Sequence, residues 1–282
     1  MPEAPAPTVR ALYRPSSPAG FSGLTFDDQG RLWAVPERAA ELVRFELEGE
    51  RLRIAERIRI EGHPEGYDLE SLAFFQGRFF VGTEHLRAER ESDPILVIDR
   101  KGSKAQVVER FSFPYRAWKI LGTRNHGIEG LCVTDRHIVA SAEIGIGTRR
   151  RVAPLGVFDR ATGRLLEAFR VVLSSETGKI SALDCQARGD QIDVLAIERH
   201  YGVARLVGVM LALGSATEDL EFRIVSDLTE RLSPLPNLEG VARSTSGEVF
   251  VVTDNQSRSV SGPTMLFHGQ SGVGLFSKSG SQ

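Results

Sequence analysis

The 282-residue chain is poor in lysine and cysteine and has no long apolar run. Lysine occurs at only five positions (101, 104, 119, 179 and 278) among 35 basic residues, and the other 30 are arginine, a skew that reads as a GC-rich coding sequence. There is no basic excess either. The formal net charge is −2, which argues against a general nucleic-acid binder, because neutralising phosphates needs a basic face. The longest apolar run, Leu206 to Leu213, is broken by Gly208 and is too short for a membrane-spanning helix. Two cysteines, Cys132 and Cys185, exclude a disulfide-rich scaffold and any CxxC or four-cysteine zinc site. They fall on neighbouring predicted strands and read as buried thiols rather than a bridge.

Several catalytic signatures are missing too. There is no Gly-x-Ser-x-Gly elbow, no Ser-x-x-Lys, no phosphate-binding P-loop and no HExxH or His-x-x-x-His. Gly145-Ile146-Gly147-Thr148 lacks the third glycine of a dinucleotide loop. Covalent nucleophilic catalysis therefore has no motif behind it. The opening Met1-Pro2-Glu3-Ala4-Pro5-Ala6-Pro7 lacks the hydrophobic segment of a signal peptide. A cytosolic start and a tether left after signal removal both fit it.

What the chain does have is a repeat. Five segments read apolar, Glu or Ser, small, aliphatic: Phe21-Ser22-Gly23-Leu24, Leu69-Glu70-Ser71-Leu72, Ile128-Glu129-Gly130-Leu131, Ile180-Ser181-Ala182-Leu183 and Leu238-Glu239-Gly240-Val241. Their second residues are spaced by 48, 59, 52 and 58 positions. Turns such as Asp28-Gln29-Gly30, Gln76-Gly77 and Ser246-Gly247 follow, then second strands at 32–35, 79–82, 138–141, 192–197 and 249–253, and in most repeats two more strand-like runs. Four antiparallel strands per repeat of about 50 residues is the signature of a β-propeller blade. The pattern predicts an all-β propeller of four-stranded antiparallel blades, five in number, with six the alternative if Leu86 to Asn125 hides a degenerate blade. One domain over 18–276 follows a tail at 1–17, whose strand near 9–13 closes the ring; 277–282 is a C-terminal tail. Closure removes exposed sheet edges.

Each second strand ends on an acid, namely Glu37, Glu84, Glu143, Glu198 and Asp254, at 15, 14, 14, 17 and 15 residues after the marker. The start of a first strand lies beside the end of its antiparallel partner. The spacing therefore gathers Glu70, Glu129 and Glu239 with these acids at one mouth of the channel. Clustered carboxylates raise one another's pKa unless compensated. The compensation is a hard cation such as Ca²⁺, basic neighbours (Arg38, His85, Arg199, His200, His126) or shared protons. Two loops flank the mouth. Gly145 to Arg151 carries Arg149, Arg150 and Arg151, whose forks suit phosphate or carboxylate. The other, His85 to Glu91, has mixed charge and reads as a solvated loop. Asn255-Gln256-Ser257 matches a glycosylation sequon.

Three of these motif pairs resemble the phytase-like propeller family, labelled "esterase-like activity of phytase". They are Asn237-Leu238-Glu239-Gly240-Val241-Ala242 with Gly247 to Asn255, Gly127-Ile128-Glu129-Gly130-Leu131 with Ala140-Ser141-Ala142-Glu143, and Asp68-Leu69-Glu70-Ser71-Leu72 with Val81-Gly82-Thr83-Glu84. The resemblance covers about residues 18 to 270. The Glu-Gly opening also occurs in gluconolactonase-like propellers, where that Glu is a metal ligand. The resemblance implies a Ca²⁺-associated, periplasmic or secreted hydrolase of phosphoesters or carboxylesters. It implies Glu70, Glu129 and Glu239, with Glu84 and Asp254, as metal ligands. Ser22 and Ser181 replace the Glu in two repeats, which favours an asymmetric site.

The expected chemistry assigns Glu129, Glu143 and His200 to catalysis, and Arg149, Arg150, His85 and His126 to binding a small anionic or ester substrate. The expected protein is a monomer. The competing expectation is a non-catalytic, Ca²⁺-stabilised propeller that binds a protein or glycan.

Overall fold

The computed structural model describes residues 20–49, 51–86, 89–124, 126–146, 151–200, 202–214, 220–230, 232, 235–254 and 262–270, and the backbone of 8–12. Residues 273–276, Arg149, Arg150 and the Asn255 sequon lie outside the described residues.

Strand β1 (Thr8–Leu12) comes first. Then β2 (Phe21–Phe26), β3 (Leu32–Pro36), β4 (Glu41–Glu48) and β5 (Arg51–Glu61) pair antiparallel in chain order. The second ladder is β6 (Tyr67–Phe75), β7 (Arg78–His85), β8 (Ser92–Lys101) and β9 (Lys104–Pro114). The Leu86 to Asn125 segment thus supplies β8, β9 and a 3₁₀ turn, Tyr115–Trp118. The third ladder is β10 (Gly130–Val133), β11 (His137–Ser141), β12 (Val152–Asp159) and β13 (Leu165–Val172). The fourth is β14 (Lys179–Arg188), β15 (Gln191–His200), β16 (Val203–Ala212) and, beyond the short β17 (Leu220–Glu221), β18 (Arg223–Asp227). The fifth joins β19 (Leu238–Arg243), β20 (Glu248–Thr253) and β21 (Met265–Gln270). Strand β1 completes it, antiparallel to β21.

Only the fourth of these ladders is a separate four-stranded sheet of the kind the repeat pattern predicts. The sheets hold twelve, five and four strands. Two-residue parallel pairings at the periphery fuse the first, second and fifth ladders, β1 with β5 and β5 with β9, and a third such pairing adds β17 to β13 of the third ladder. Such contacts arise where splayed outer strands of neighbouring ladders brush together, and nothing in the hydrophobic pattern announces them.

The result is a propeller-like all-β fold. The innermost strands touch in sequence, β2 to β6, β6 to β10, β10 to β14, β14 to β19 and β19 to β2. Five apolar clusters fill the seams. One packs Trp33 and Leu42 of the first ladder on Leu72 and Phe79 of the second. Others join second to third, third to fourth and fourth to fifth, and the last sets Phe250 and Val252 against Phe21 and Phe45. The alternating strands bury one face against each neighbour, so the core is a cycle of interfaces with no single centre. At the first seam the main chains approach so closely that a side chain on Gly23 (φ +58°) would strike the Leu72 backbone. No helix among the described residues is long and apolar enough to cross a membrane.

Cys132 and Cys185 correct a second expectation. They are joined as a disulfide between β10 and β14, with Cα atoms 5.6 Å apart. Adjacent inner strands bring the two side chains face to face, which sequence separation alone does not reveal.

Candidate functional site

In the second, fourth and fifth ladders the repeated Glu or Ser marker stands at a local irregularity. Register shifts by one residue between Leu69 and Ser71, between Ile180 and Ala182, and between Leu238 and Gly240. Glu70, Ser181 and Glu239 are therefore the extra residues of their strands. A bulge of this kind re-aims a side chain, here at the rim. The Ser181 hydroxyl donates to the Leu238 carbonyl of the next ladder at 2.8 Å.

Across the inner hairpins, the residue two places before each marker faces the end of the second strand. Asp68 faces Glu84 by register, and the amides of Glu37, Glu143 and Asp254 donate to the carbonyls of Gly20, Gly127 and Asn237. In the fourth ladder the equivalent pair is Lys179 and Arg199. The rim position thus holds four acids and one arginine. Glu198, the fifth acid by spacing, is fully buried and accepts hydrogen bonds from the Ser174 and Ser175 amides and the Ser175 hydroxyl. It organises the 174–178 loop. This hairpin is longer, so the rim residue sits 18 places after its marker, against 14 in the second ladder.

One side of the mouth is acidic. Carboxylate oxygens of Glu70, Glu84 and Glu129 lie within 4.8 Å of one another, and so do those of Glu37, Asp68 and Glu70. Glu70, Glu84 and Glu129 are only 5–6 % exposed. Burial, then the Glu84 and Glu37 charges, raise the Glu70 pKa well above the usual carboxylate range. Burial, then Glu70 and Glu143, do the same for Glu129. Glu37 and Asp68 are also raised, chiefly by burial. Glu84 is fixed from behind. Its Oε1 accepts the His126 amide at 2.9 Å, and the Arg90 guanidinium is 3.8 Å away. A side chain on Gly127 would collide with it. Arg90 also pairs with the fully buried Asp93 at 2.6 Å and donates to the Thr123 carbonyl. The Tyr115 hydroxyl bonds the same Asp93. Arg90 belongs to the stretch that reads as a solvated loop, yet it is mostly buried: its partners come from distant ladder segments, invisible in the local sequence.

The other side of the mouth is ion-paired. Arg199 bonds Glu239 and lies 3.4 Å from Glu143, and Lys179 is 3.5 Å from Glu143. Asn237 also donates to Glu239 Oε1, at 2.7 Å, whereas the buried Oε2 has no hydrogen-bond partner. Burial outweighs Arg199 and raises the Glu239 pKa to about 7. The His126 and His200 pKa values are lowered, first by burial and next by Lys179. His85 packs edge-on against Tyr67, and its amide donates to Asp93.

Of the expected metal ligands, Glu70, Glu84 and Glu129 thus converge. Glu239 is bound to Arg199, and Asp254 packs against Gly20. Sequence reading did not single out the site roles of Asp68, Arg90 and Lys179. A sharper signal was available for two of them, since both Asp68 and Lys179 stand two residues before a marker.

The fold has solved counterparts. A GH43_1 enzyme from Xanthomonas citri complexed with xylotriose is 10 % identical, with TM-score 0.57 over 92 % of this chain and 90 % of that one. A mannose phosphorylase from Leishmania mexicana, MPT-4, is 10 % identical, with TM-score 0.54 over 95 % and 89 %. The PQQ-bound aldose sugar dehydrogenase of Streptomyces coelicolor is 12 % identical, with TM-score 0.50 over 95 % and 99 %. At such identities the likeness concerns the fold alone. Among curated proteins no sequence matches. The family model described as "Phytase-like: Esterase-like activity of phytase" matches residues 18–257, and the chain belongs to that family.

Proposed function

We propose that the chain is a single-domain, five-bladed propeller that hydrolyses phosphoester or carboxylester substrates with a divalent cation, Ca²⁺, held by Glu70, Glu84 and Glu129. The observation that carries this reading is the set of three buried carboxylates within 4.8 Å. At that separation and an effective dielectric of about 20, each ionised pair repels by about 3 kcal/mol. Protons or a cation must offset that, and the neighbouring Arg90 is shared with Asp93. The donor set fits the ion, because Ca²⁺ takes six to eight oxygen ligands at flexible geometry. Three carboxylates leave positions for water and substrate. The five seams and five inner strands support the blade count. The Cys132–Cys185 disulfide supports an exported protein, since disulfides persist in oxidising compartments.

A cation bound there would polarise the ester oxygen and lower the pKa of a water. The chain supplies the rest. The His126 amide fixes Glu84, so the ligand does not swing. Arg199 and Asn237 occupy one oxygen of Glu239 and leave Oε2 to take or give a proton near neutral pH. Glu143, held by Lys179 and Arg199, stands beside it. His126 and His200, neutral at pH 7, offer uncharged donors and acceptors at the rim.

The test is a thermal melt of metal-stripped protein with and without Ca²⁺, followed by phosphoester, carboxylester and lactone screens of wild type and Glu129→Gln. A saturable rise in melting temperature, with turnover that Glu129→Gln abolishes, is expected. No Ca²⁺ shift overturns the metal site. A shift without turnover selects a Ca²⁺-stabilised binding module.

A further inference from the structure

We infer that Arg90, anchored on Asp93 and Tyr115, is a positioning residue for Glu84. It holds Gly122, Thr123 and His126 in place, so that this one carboxylate of the acidic cluster is set before anything binds. Its effect on a bound Ca²⁺ rests on the function proposed above; its hold on Glu84 does not.

The fully buried Asp93, on β8, is the hub. Its Oδ1 accepts the His85 amide at 3.3 Å and Arg90 Nε at 2.6 Å. Its Oδ2 lies 2.8 Å from the same Nε and accepts from the Tyr115 hydroxyl. His85 follows Glu84 in β7, so Asp93 ties down the backbone that carries Glu84. Arg90 turns its other groups to the chain between the second and third ladders. Its amide and carbonyl both pair with Gly122 at 2.8 Å, and its Nη1 donates to the Thr123 carbonyl at 2.8 Å. Its Nη2 reaches the His126 carbonyl at 3.5 Å and lies 3.8 Å from Glu84 Oε1. The Tyr115 hydroxyl is 2.8 Å from the same His126 carbonyl, and the Tyr115 ring fills the space that a side chain on Gly122 would need. Held in this way, His126 presents its amide to Glu84 Oε1 at 2.9 Å.

The other two acids of the cluster are treated differently. Among the described residues, the carboxylates of Glu70 and Glu129 accept no hydrogen bond and make no ion pair, whereas Glu84 has both its amide donor and Arg90. A carboxylate whose orientation is already fixed loses less conformational freedom when it takes a cation. Groups that orient a metal ligand from behind commonly set metal affinity by about ten- to a hundredfold. Lysine cannot replace Arg90, because an ammonium lacks the planar fork that reaches Asp93, Thr123 and His126 at once. A second buried arginine serves as the comparison. Arg243 bonds Asp184 and lies 3.4 Å from Asp193, at the opposite end of β19 from Glu239.

Two measurements on the full-length protein test the assignment: amide hydrogen exchange without metal, and calorimetric titration with Ca²⁺. Arg90→Lys should speed exchange at Gly122 and His126 about tenfold or more and weaken Ca²⁺ binding about tenfold or more. Tyr115→Phe removes only a hydroxyl. It should shift both readouts in the same direction by less, and it decides the matter if Arg90→Lys does not fold. Arg243→Lys should lower the melting temperature and leave both readouts unchanged. Three results overturn the positioning role: exchange at Gly122 and His126 unchanged in Arg90→Lys, exchange raised there equally by Arg243→Lys, or Ca²⁺ bound equally by wild type and Arg90→Lys. If wild type binds no Ca²⁺ while Arg90→Lys frees the His126 amide, the proposed function has failed and the hold on Glu84 stands. Ca²⁺ binding that Arg90→Lys leaves intact means the reverse.

Discussion

The two sides of the mouth carry similar acids and treat them in opposite ways. On the side of the first three ladders, Glu37, Asp68, Glu70, Glu84 and Glu129 crowd together, and burial raises the pKa of four of them, with mutual repulsion adding to it at Glu37, Glu70 and Glu129. On the side of the fourth and fifth ladders, Glu143 and Glu239 are bound by Lys179 and Arg199. One exchange makes the difference: where the other ladders put an acid at the end of the second strand, the fourth puts Arg199. An acid whose partner is built in stabilises the fold through that partner. An acid left among its own kind costs the fold free energy until something binds.

The largest test of this contrast is Arg199→Ala. It leaves two buried carboxylates without their guanidinium and should cost about 3–5 kcal/mol, read by denaturant unfolding. An unchanged midpoint would mean that Arg199 is not the counter-charge. Next comes pH. Folded Glu239 has its pKa near 7 against an ordinary 4.5, so between those values the native state binds more protons than the unfolded chain. Metal-free stability should therefore fall as pH rises from about 4.5 to 7, by on the order of 3 kcal/mol at about 1.4 kcal/mol per pK unit. Glu239→Gln should flatten that slope, and a slope of opposite sign would refute the burial argument.

Ca²⁺ comes third. At a hundredfold excess over its Kd it should add about 2.7 kcal/mol, and more at pH 8 than at pH 5, because the ligands must be deprotonated. Equal shifts at both pH values would place the ion elsewhere. Smallest is Glu70→Gln, which removes one repelling charge. It should stabilise the metal-free protein at pH 8 while erasing the Ca²⁺ shift. Loss of stability instead would show that Glu70 has an attractive partner.

Much of this was legible in the residues. The recurring apolar-Glu/Ser-small-aliphatic segments marked the inner strands, because they repeat both strand alternation and the small residue needed where inner strands crowd. The identity of the rim residues was less legible. Spacing suggested Glu198 because an acid stood 17 places after its marker, whereas the longer β14–β15 hairpin moves the rim to position 18. Counting along a chain does not register paired residues added symmetrically to a hairpin. The one-residue register shifts at Glu70 and Glu239 were hidden for the same reason: they belong to the pairing of two strands and to neither alone. Arg90 looked solvent-facing in a run of charges, since its partners Asp93, Thr123 and Glu84 gather only in three dimensions.

The fifth ladder is assembled from segments far apart in the sequence, Thr8–Leu12 beside Met265–Gln270. During synthesis the early strand must wait, unpaired on that edge, until residue 270 has emerged, so the ring shuts last and late. Sequence-distant pairing of this kind slows folding. It also brings two distant stretches of backbone side by side, so the chain order could be rewired. A gene opened at the Asp28-Gln29-Gly30 turn, with Gln270 joined to Thr8 by a flexible linker, should yield the same ring with a different starting point.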